Sequence, residues 1–252
     1  MCGRFVVASS PEILADRFRV DEVSLDEHAP DYNVTPRAMV PIVRERPARD
    51  DRAEARVLSL VRWGLVPSWA KDPKLGDRLI NARAETVATT NSYQNAFRKR
   101  RCIIPADAFY EWTSKDKLTP DQQPASKKSE RVPRQPYLVH RRDGEPMAFA
   151  GLWEIWRDDS VDDRDAPGAW LRTCAIITTR ANDLLEPIHS RMPVMLPEAS
   201  WDAWLDPANT DVHALESVLE PAPDDWLEVY PVSTRVNKPE NNDAGLVERV
   251  DA

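Results

Sequence analysis

A cysteine directly behind the initiator methionine, in the opening MCGRF, is the residue best placed to do chemistry. A small residue at position two favours removal of Met1, which would leave Cys2 with a free α-amine and a thiol on neighbouring carbons. The α-amine titrates at about 7.7–8.0, against about 10.4 for lysine, so a useful fraction is neutral and nucleophilic near neutrality. The thiol starts at about 8.5 and is pulled lower by a protonated amine beside it. Such a β-aminothiol attacks an aldehyde through nitrogen, forms an imine and closes a five-membered thiazolidine through sulfur; alternatively the sulfur attacks an amide or ester. Taken alone, the dipeptide is more often just an ordinary small second residue.

Four other strings set polar residues in apolar or proline-rich surroundings. APDYNVTP holds Asn33 before a turn. LINARAE puts Asn81, Arg83 and Glu85 on alternate positions, which an extended segment would point to one side. ADAFYEW places Glu111 between Phe109, Tyr110 and Trp112, where desolvation raises a carboxyl's pKa and suits it to general acid work. EPIHSRMPV sets His189 and Arg191 two apart; an imidazole that titrates at about 6.5 suits proton exchange. Trp63 and Trp69 in WGLVPSW offer aromatic faces for stacking, although a proline-flanked tryptophan is more often packing. Each string singly has a structural explanation: a turn, an ion pair, or a half-buried histidine.

The elements that must position these residues are short. Twenty-two prolines against seven glycines punctuate 252 residues, a length suited to one domain. RFVVAS, AMVPIVR, RVLSLVRW, RCIIPAD, AFYEW, PYLVHR, MAFAGLWE, LRTCAIITT and WLEVYPV read as strands, each rich in β-branched or aromatic residues. Ser10 before Pro11 opens a helix to about Arg19, with Leu14 and Phe18 on one face. A second helix follows Pro197 with Trp201, Trp204 and Leu205, and a third carries Val212, Leu215 and Leu219. Strands and helices do not alternate regularly. The expected architecture is therefore α+β: one domain over 1–252, a mainly antiparallel sheet core and a few peripheral helices. Three polar stretches, 44–56, 113–135 and 157–169, read as surface insertions.

Cys2, Cys102 and Cys174 are odd in number without C-x-x-C spacing, and the four histidines do not cluster with them. Neither a disulfide framework nor a metal site is expected, and no cofactor. No apolar run reaches bilayer length, and no signal peptide pattern is present, so the expectation is a cytoplasmic protein without membrane contact, at the nucleoid if bacterial. A net charge of −8 argues against indiscriminate coating of nucleic acid and leaves room for a local basic cleft.

Jointly, MCGRF, YNVTP, WGLVPSW, LINARAET, CIIPADAFYEW, PYLVHR, AGLWE, CAIITT and IHSRMPVML closely resemble the SOS response-associated peptidase family, whose members shield abasic sites in single-stranded DNA by crosslinking to them. The resemblance runs from Cys2 to YPVSTRVNK near Lys238. It implies that Cys2 is the crosslinking residue, with Asn81, Glu111 and His189 beside it as catalytic residues. It also implies that Arg4, Arg83 and Arg191 contact phosphates, and that WGLVPSW, with Trp63 and Trp69, lies near unpaired bases; Asn33 joins that DNA-binding set. The implied partner is single-stranded DNA containing abasic sites, met by a monomer. The 113–135 insertion exceeds that of short bacterial members. A glutamine amidotransferase, amidohydrolase or peptidase using Cys2 as an N-terminal nucleophile is the alternative. The amidotransferase needs an Asn-Gly oxyanion element, and the chain contains no Asn-Gly dipeptide.

Overall fold

The computed structural model describes residues 2–25, 29–49, 52–113 and 134–251. Its strands in chain order are β1 (Phe5–Val7), β2 (Glu22–Ser24), β3 (Asp31–Val34), β4 (Met39–Arg46), β5 (Ala55–Trp63), β6 (Asn81–Arg83), β7 (Arg101–Ala106), β8 (Ala108–Trp112), β9 (Pro136–Arg141), β10 (Met147–Arg157), β11 (Trp170–Arg180), β12 (Arg191–Pro193) and β13 (Leu227–Pro231). Four short helices, α1 (Pro11–Arg17), α2 (Gln94–Lys99), α3 (Trp201–Leu205) and α4 (Val212–Glu216), lie outside the sheets. The α+β reading with a mainly antiparallel core therefore holds.

One sheet is antiparallel with the order β13-β9-β8-β1-β3. In the other, β10, β7, β4 and β5 follow one another, and β11 pairs with both β10 and β5, closing a five-membered ring of strands. The closing contact is parallel, Thr173 to Arg62 and Cys174 to Trp63. Past that point β11 continues with a new strand on each edge: β6 in parallel, Asn81 opposite Ile176, and β12 antiparallel, Thr178 opposite Pro193. The end of β11 thus gathers the NAR and SRMP segments on either side.

Aromatic contacts join the two sheets. Phe5 of β1 meets Trp63 of β5 edge-on at 5.0 Å between centroids, and Phe109 of β8 meets Phe149 of β10 at 5.9 Å. Such edge contacts contribute roughly 0.5–1.5 kcal/mol each beyond area burial. A second apolar cluster, with Val6, Tyr110, Leu138, Val232, Val236 and Leu246, backs the opposite face of the antiparallel sheet. Strands β1 and β8 are thus buried on both faces, which explains their near-continuous apolar runs.

Ser10 caps α1 as expected, its hydroxyl accepting from the Ile13 N–H at 3.4 Å, and Leu14 and Phe18 are buried. The Pro197 helix begins with a turn of 3-10 helix before α3. The 44–56 stretch is corrected: Arg44 to Arg46 and Ala55 to Arg56 belong to β4 and β5, with Arg44 opposite Val57 and Arg46 opposite Ala55. Its arginines are paired or packed rather than solvated, Arg56 with Glu45 and Asp202, Arg46 with Glu22 and Arg44 over Trp153, which a composition-based reading does not see. The 157–169 stretch, after Arg157 ends β10, is a mostly exposed connection to β11, with Asp158, Val161 and Ala166 partly covered and Ala169 buried. Residues 114–133 of the 113–135 insertion lie outside the described residues. Among the described residues no helix is long and apolar enough to cross a membrane.

Candidate functional site around the N-terminal cysteine

Cys2 is fully buried, just ahead of β1. The register of β1 against β8, with Phe5 opposite Phe109 and the Tyr110 N–H donating to the Arg4 carbonyl at 3.0 Å, carries the start of the chain along the strand that holds Glu111. Asn81 closes the other side: its amide Nδ2 donates to the Cys2 carbonyl at 2.7 Å. Its Oδ1 is buried without a hydrogen-bond partner among the described residues, an acceptor left in the immediate neighbourhood of Cys2. Tyr93 steadies Asn81 from behind, donating its hydroxyl to the Asn81 carbonyl at 2.9 Å. Nothing in the polar string NSYQN marks Tyr93 for this role.

Burial sets the electrostatics. Glu111 is 3% exposed, and desolvation pushes its carboxyl up to about 7, against the opposing pull of the chain's amino-terminal charge and a hydrogen bond from the Trp112 backbone. Burial likewise pushes the Cys2 thiol far above its ordinary value; the Glu111 carboxylate adds to this, while the amino-terminal charge and the Arg4 carbonyl oppose it. Near neutrality the carboxyl therefore exchanges a proton readily, and the sulfur rests as the thiol.

The predicted set separates into groups. Cys2, Asn81 and Glu111 converge. Arg191 gathers a second group: its guanidinium donates to both carboxylate oxygens of Glu85, through Nη2 at 3.0 Å and through Nη1, and to the Thr178 carbonyl at 2.6 Å. Arg83 is exposed opposite Thr178 on the other edge of β11. His189 stands at the turn into β12. Its Nδ1 accepts from the Arg191 N–H at 3.0 Å, shorter than its 3.3 Å approach to the Arg191 carbonyl, so the neutral ring carries its proton on Nε2.

Two expected surface contacts are corrected. Trp63 is fully buried, its indole N–H donating to the Ile80 carbonyl at 2.9 Å and its ring against Phe5, so it offers no stacking face. Asn33 is 3% exposed and fully engaged: its Oδ1 accepts from Arg4 Nη1 at 2.6 Å, and its amide donates to the carbonyls of Lys238 at 3.1 Å and Asn241 at 2.7 Å. Arg4, half-buried, also donates to the Val236 carbonyl at 2.8 Å and lies 5.8 Å from the Trp112 ring centroid. A hydrogen bond between residues 29 apart carries no sequence signal.

Trp69 is 51% exposed. It sits on a loop whose entry is fixed by Gly64, at φ +120°; a Cβ there would stand 2.6 Å from the Gly76 carbonyl oxygen. The loop folds back on itself, with the Leu65 N–H donating to the Leu79 carbonyl at 3.1 Å. Trp69 lines a solvent-open hollow of about 440 Å³ with Lys71, Trp156 and Arg157.

A buried cysteine at position 2, held between an asparagine and a carboxyl of raised pKa on a two-sheet β fold, defines the class. The SOS response associated peptidase (SRAP) family model matches residues 1–239, and the chain belongs to that family. It is 39% identical over 249 residues to the abasic site processing protein YoqW of Bacillus subtilis (strain 168), covering 98% of this chain and 99% of that protein. It is 30% identical over 281 residues to the abasic site processing protein YMR114C of Saccharomyces cerevisiae, covering 98% and 67%. A crystal structure of a protein from Bacteroides thetaiotaomicron shares the fold, with a TM-score of 0.77 and 24% identity over 99% of this chain and all of that one.

Proposed function

We propose that this chain processes abasic sites in single-stranded DNA by attaching to them covalently through Cys2, once Met1 is removed. The observation that carries the reading is the convergence of Asn81 and Glu111 on Cys2, with Glu111 poised near neutrality. The relatives named as abasic site processing proteins support the substrate class.

An abasic deoxyribose rests mainly as a closed hemiacetal. Protonated Glu111 gives its proton to the ring oxygen as the C1–O bond breaks, the anomeric hydroxyl passes its proton to solvent, and the ring opens to the aldehyde. The neutral α-amine adds to the carbonyl carbon, and the carbinolamine loses water to give the imine. Sulfur then adds to the imine carbon, forming the C–S bond, and the thiol proton ends on nitrogen in the thiazolidine. Because burial keeps the sulfur protonated, this last step needs a base, and the Glu111 carboxylate left after ring opening is that base. An amidohydrolase that begins with thiolate attack is poorly served by a thiol held this far up. Asn81 Oδ1 accepts from the α-amine, keeping its lone pair aimed without adding charge. His189, presenting Nε2–H, assists proton exchange or a phosphate. Arg4, Arg83 and Arg191 serve the phosphates, and Trp69 offers the exposed stacking face. The protein acts as a monomer.

The deciding experiment is incubation of the mature protein with a single-stranded oligonucleotide bearing one abasic site, followed by denaturing electrophoresis. A heat-stable shifted band is expected, lost in Cys2→Ala, which still gives a borohydride-trappable imine. Undiminished adduct from Cys2→Ala without reductant would rule out ring closure through sulfur.

A further inference from the structure

Both terminal nitrogens of the Arg191 guanidinium are already engaged. Its two outward donors meet Glu85 in the paired geometry that a phosphate would take, and Thr178 takes a further donor. Arg191 is only 18% exposed while Glu85 is 52% exposed, so the carboxylate is the movable partner. The charge of Arg83 also acts on Glu85, which therefore lies in the field of both arginines that the functional reading assigns to phosphates.

We propose that Glu85 is a built-in competitor for the DNA backbone: it occupies the phosphate seat of Arg191 in the DNA-free protein and must leave for a phosphate to enter. This rests on the functional reading above and adds a residue that sets specificity. The seat opens only to an anion that reaches it in register, and binding by stray polyanions is suppressed. The turn that follows β6 makes the exchange feasible. Ala84 donates to the Thr178 carbonyl and Thr86 to the Arg83 carbonyl, so the backbone stays anchored while the Glu85 side chain swings into solvent.

The test uses an oligonucleotide without an abasic site, so that binding is read apart from crosslinking. Glu85→Gln keeps the side chain's shape and removes its charge. Its expected effect is an affinity about three- to tenfold higher, the scale of one partly exposed charge-assisted pair. The salt dependence should steepen by up to about 0.7 in slope, one single-strand phosphate contact. In an Arg191→Gln background the same substitution should change affinity less than about twofold, because the contested seat is gone. If Glu85→Gln weakens binding, Glu85 orients Arg191 for the phosphate and the competitor is overturned. An equal gain with and without Arg191 overturns it too, since that is a general charge effect. If the unaltered protein binds no single-stranded DNA at all, the functional reading fails, and the competitor with it; normal binding with the wrong sign for Glu85→Gln removes only the competitor.

Discussion

At the scale of a single residue, Glu111 has the clearest signature. The folded protein holds its proton up to about 7, whereas the unfolded chain releases it near the ordinary 4.5. Across that window the folded state binds more protons. The stability this contributes is fully present below 4.5 and is lost as pH rises through 7. Glu111→Gln should therefore flatten the fall in melting temperature between about pH 5 and 8, which calorimetry across pH would read. The same variant should slow crosslinking at neutral pH by about 10²–10⁴-fold, the range of general acid–base assistance, with little change in DNA affinity. Single-turnover kinetics beside a binding titration separate the two effects, and normal rates in a destabilised variant would reduce Glu111 to a structural residue. Asn81→Ala makes a complementary case. It frees the Cys2 carbonyl and should cost about 1 kcal/mol of stability, with a loss of crosslinking rate out of proportion to that cost.

At the scale of elements, two tryptophans six positions apart behave oppositely. Trp63→Ala should destabilise the fold by about 3–5 kcal/mol, because it empties the contact with Phe5 where the two sheets meet. Trp69→Ala should leave the melting temperature nearly unchanged and weaken single-stranded DNA binding by about 1–3 kcal/mol, irrespective of base. Chemical denaturation and fluorescence titration of the pair measure both. This contrast also marks how far the sequence could be read. All nine expected strands form, since runs such as MAFAGLWE and LRTCAIITT carry their own β-branched and aromatic signal. The three- and four-residue strands at 22–24, 31–34, 81–83 and 191–193 do not; three of them pair with the longer β5 and β11, and 31–34 pairs with β1. WGLVPSW could not tell its two tryptophans apart, for the turn at Gly64 that sends them different ways depends on Gly76, twelve residues later. The family resemblance grouped Cys2, Asn81 and Glu111, and the fold brings the three together. The hold of Asn33 on Arg4 and of Glu85 on Arg191 was not legible, since a polar side chain facing inward to a carbonyl or a guanidinium has the same letter as one facing DNA.

At the scale of the whole molecule, the proposed function asks a formal charge of −8 to coexist with a surface that meets a polyanion. Exposed Arg83 and Arg191 stand on opposite edges of one strand, β11, with Glu85 the carboxylate nearest them, and acids beyond about 8 Å are screened at physiological salt. Binding to single-stranded DNA should therefore weaken as salt rises. Arg83→Gln should weaken it alike for all sequences and reduce the slope by about 0.7. Filter binding at several salt concentrations with oligonucleotides of different composition tests this, and losses that depend on the base would indicate a sequence reader instead.

The bond from Arg4 to the Val236 carbonyl spans 232 residues. During synthesis Arg4 and Asn33 leave the ribosome long before the segment that pins them, from Val236 to Asn241. At roughly 5–20 residues per second, tens of seconds separate the two events. Through that interval the first strand lacks its distant anchors, and Cys2, fully buried in the folded protein, is not yet packed away. The Met1 removal proposed above then has an interval that the order of translation itself supplies, before the start of the chain is pinned.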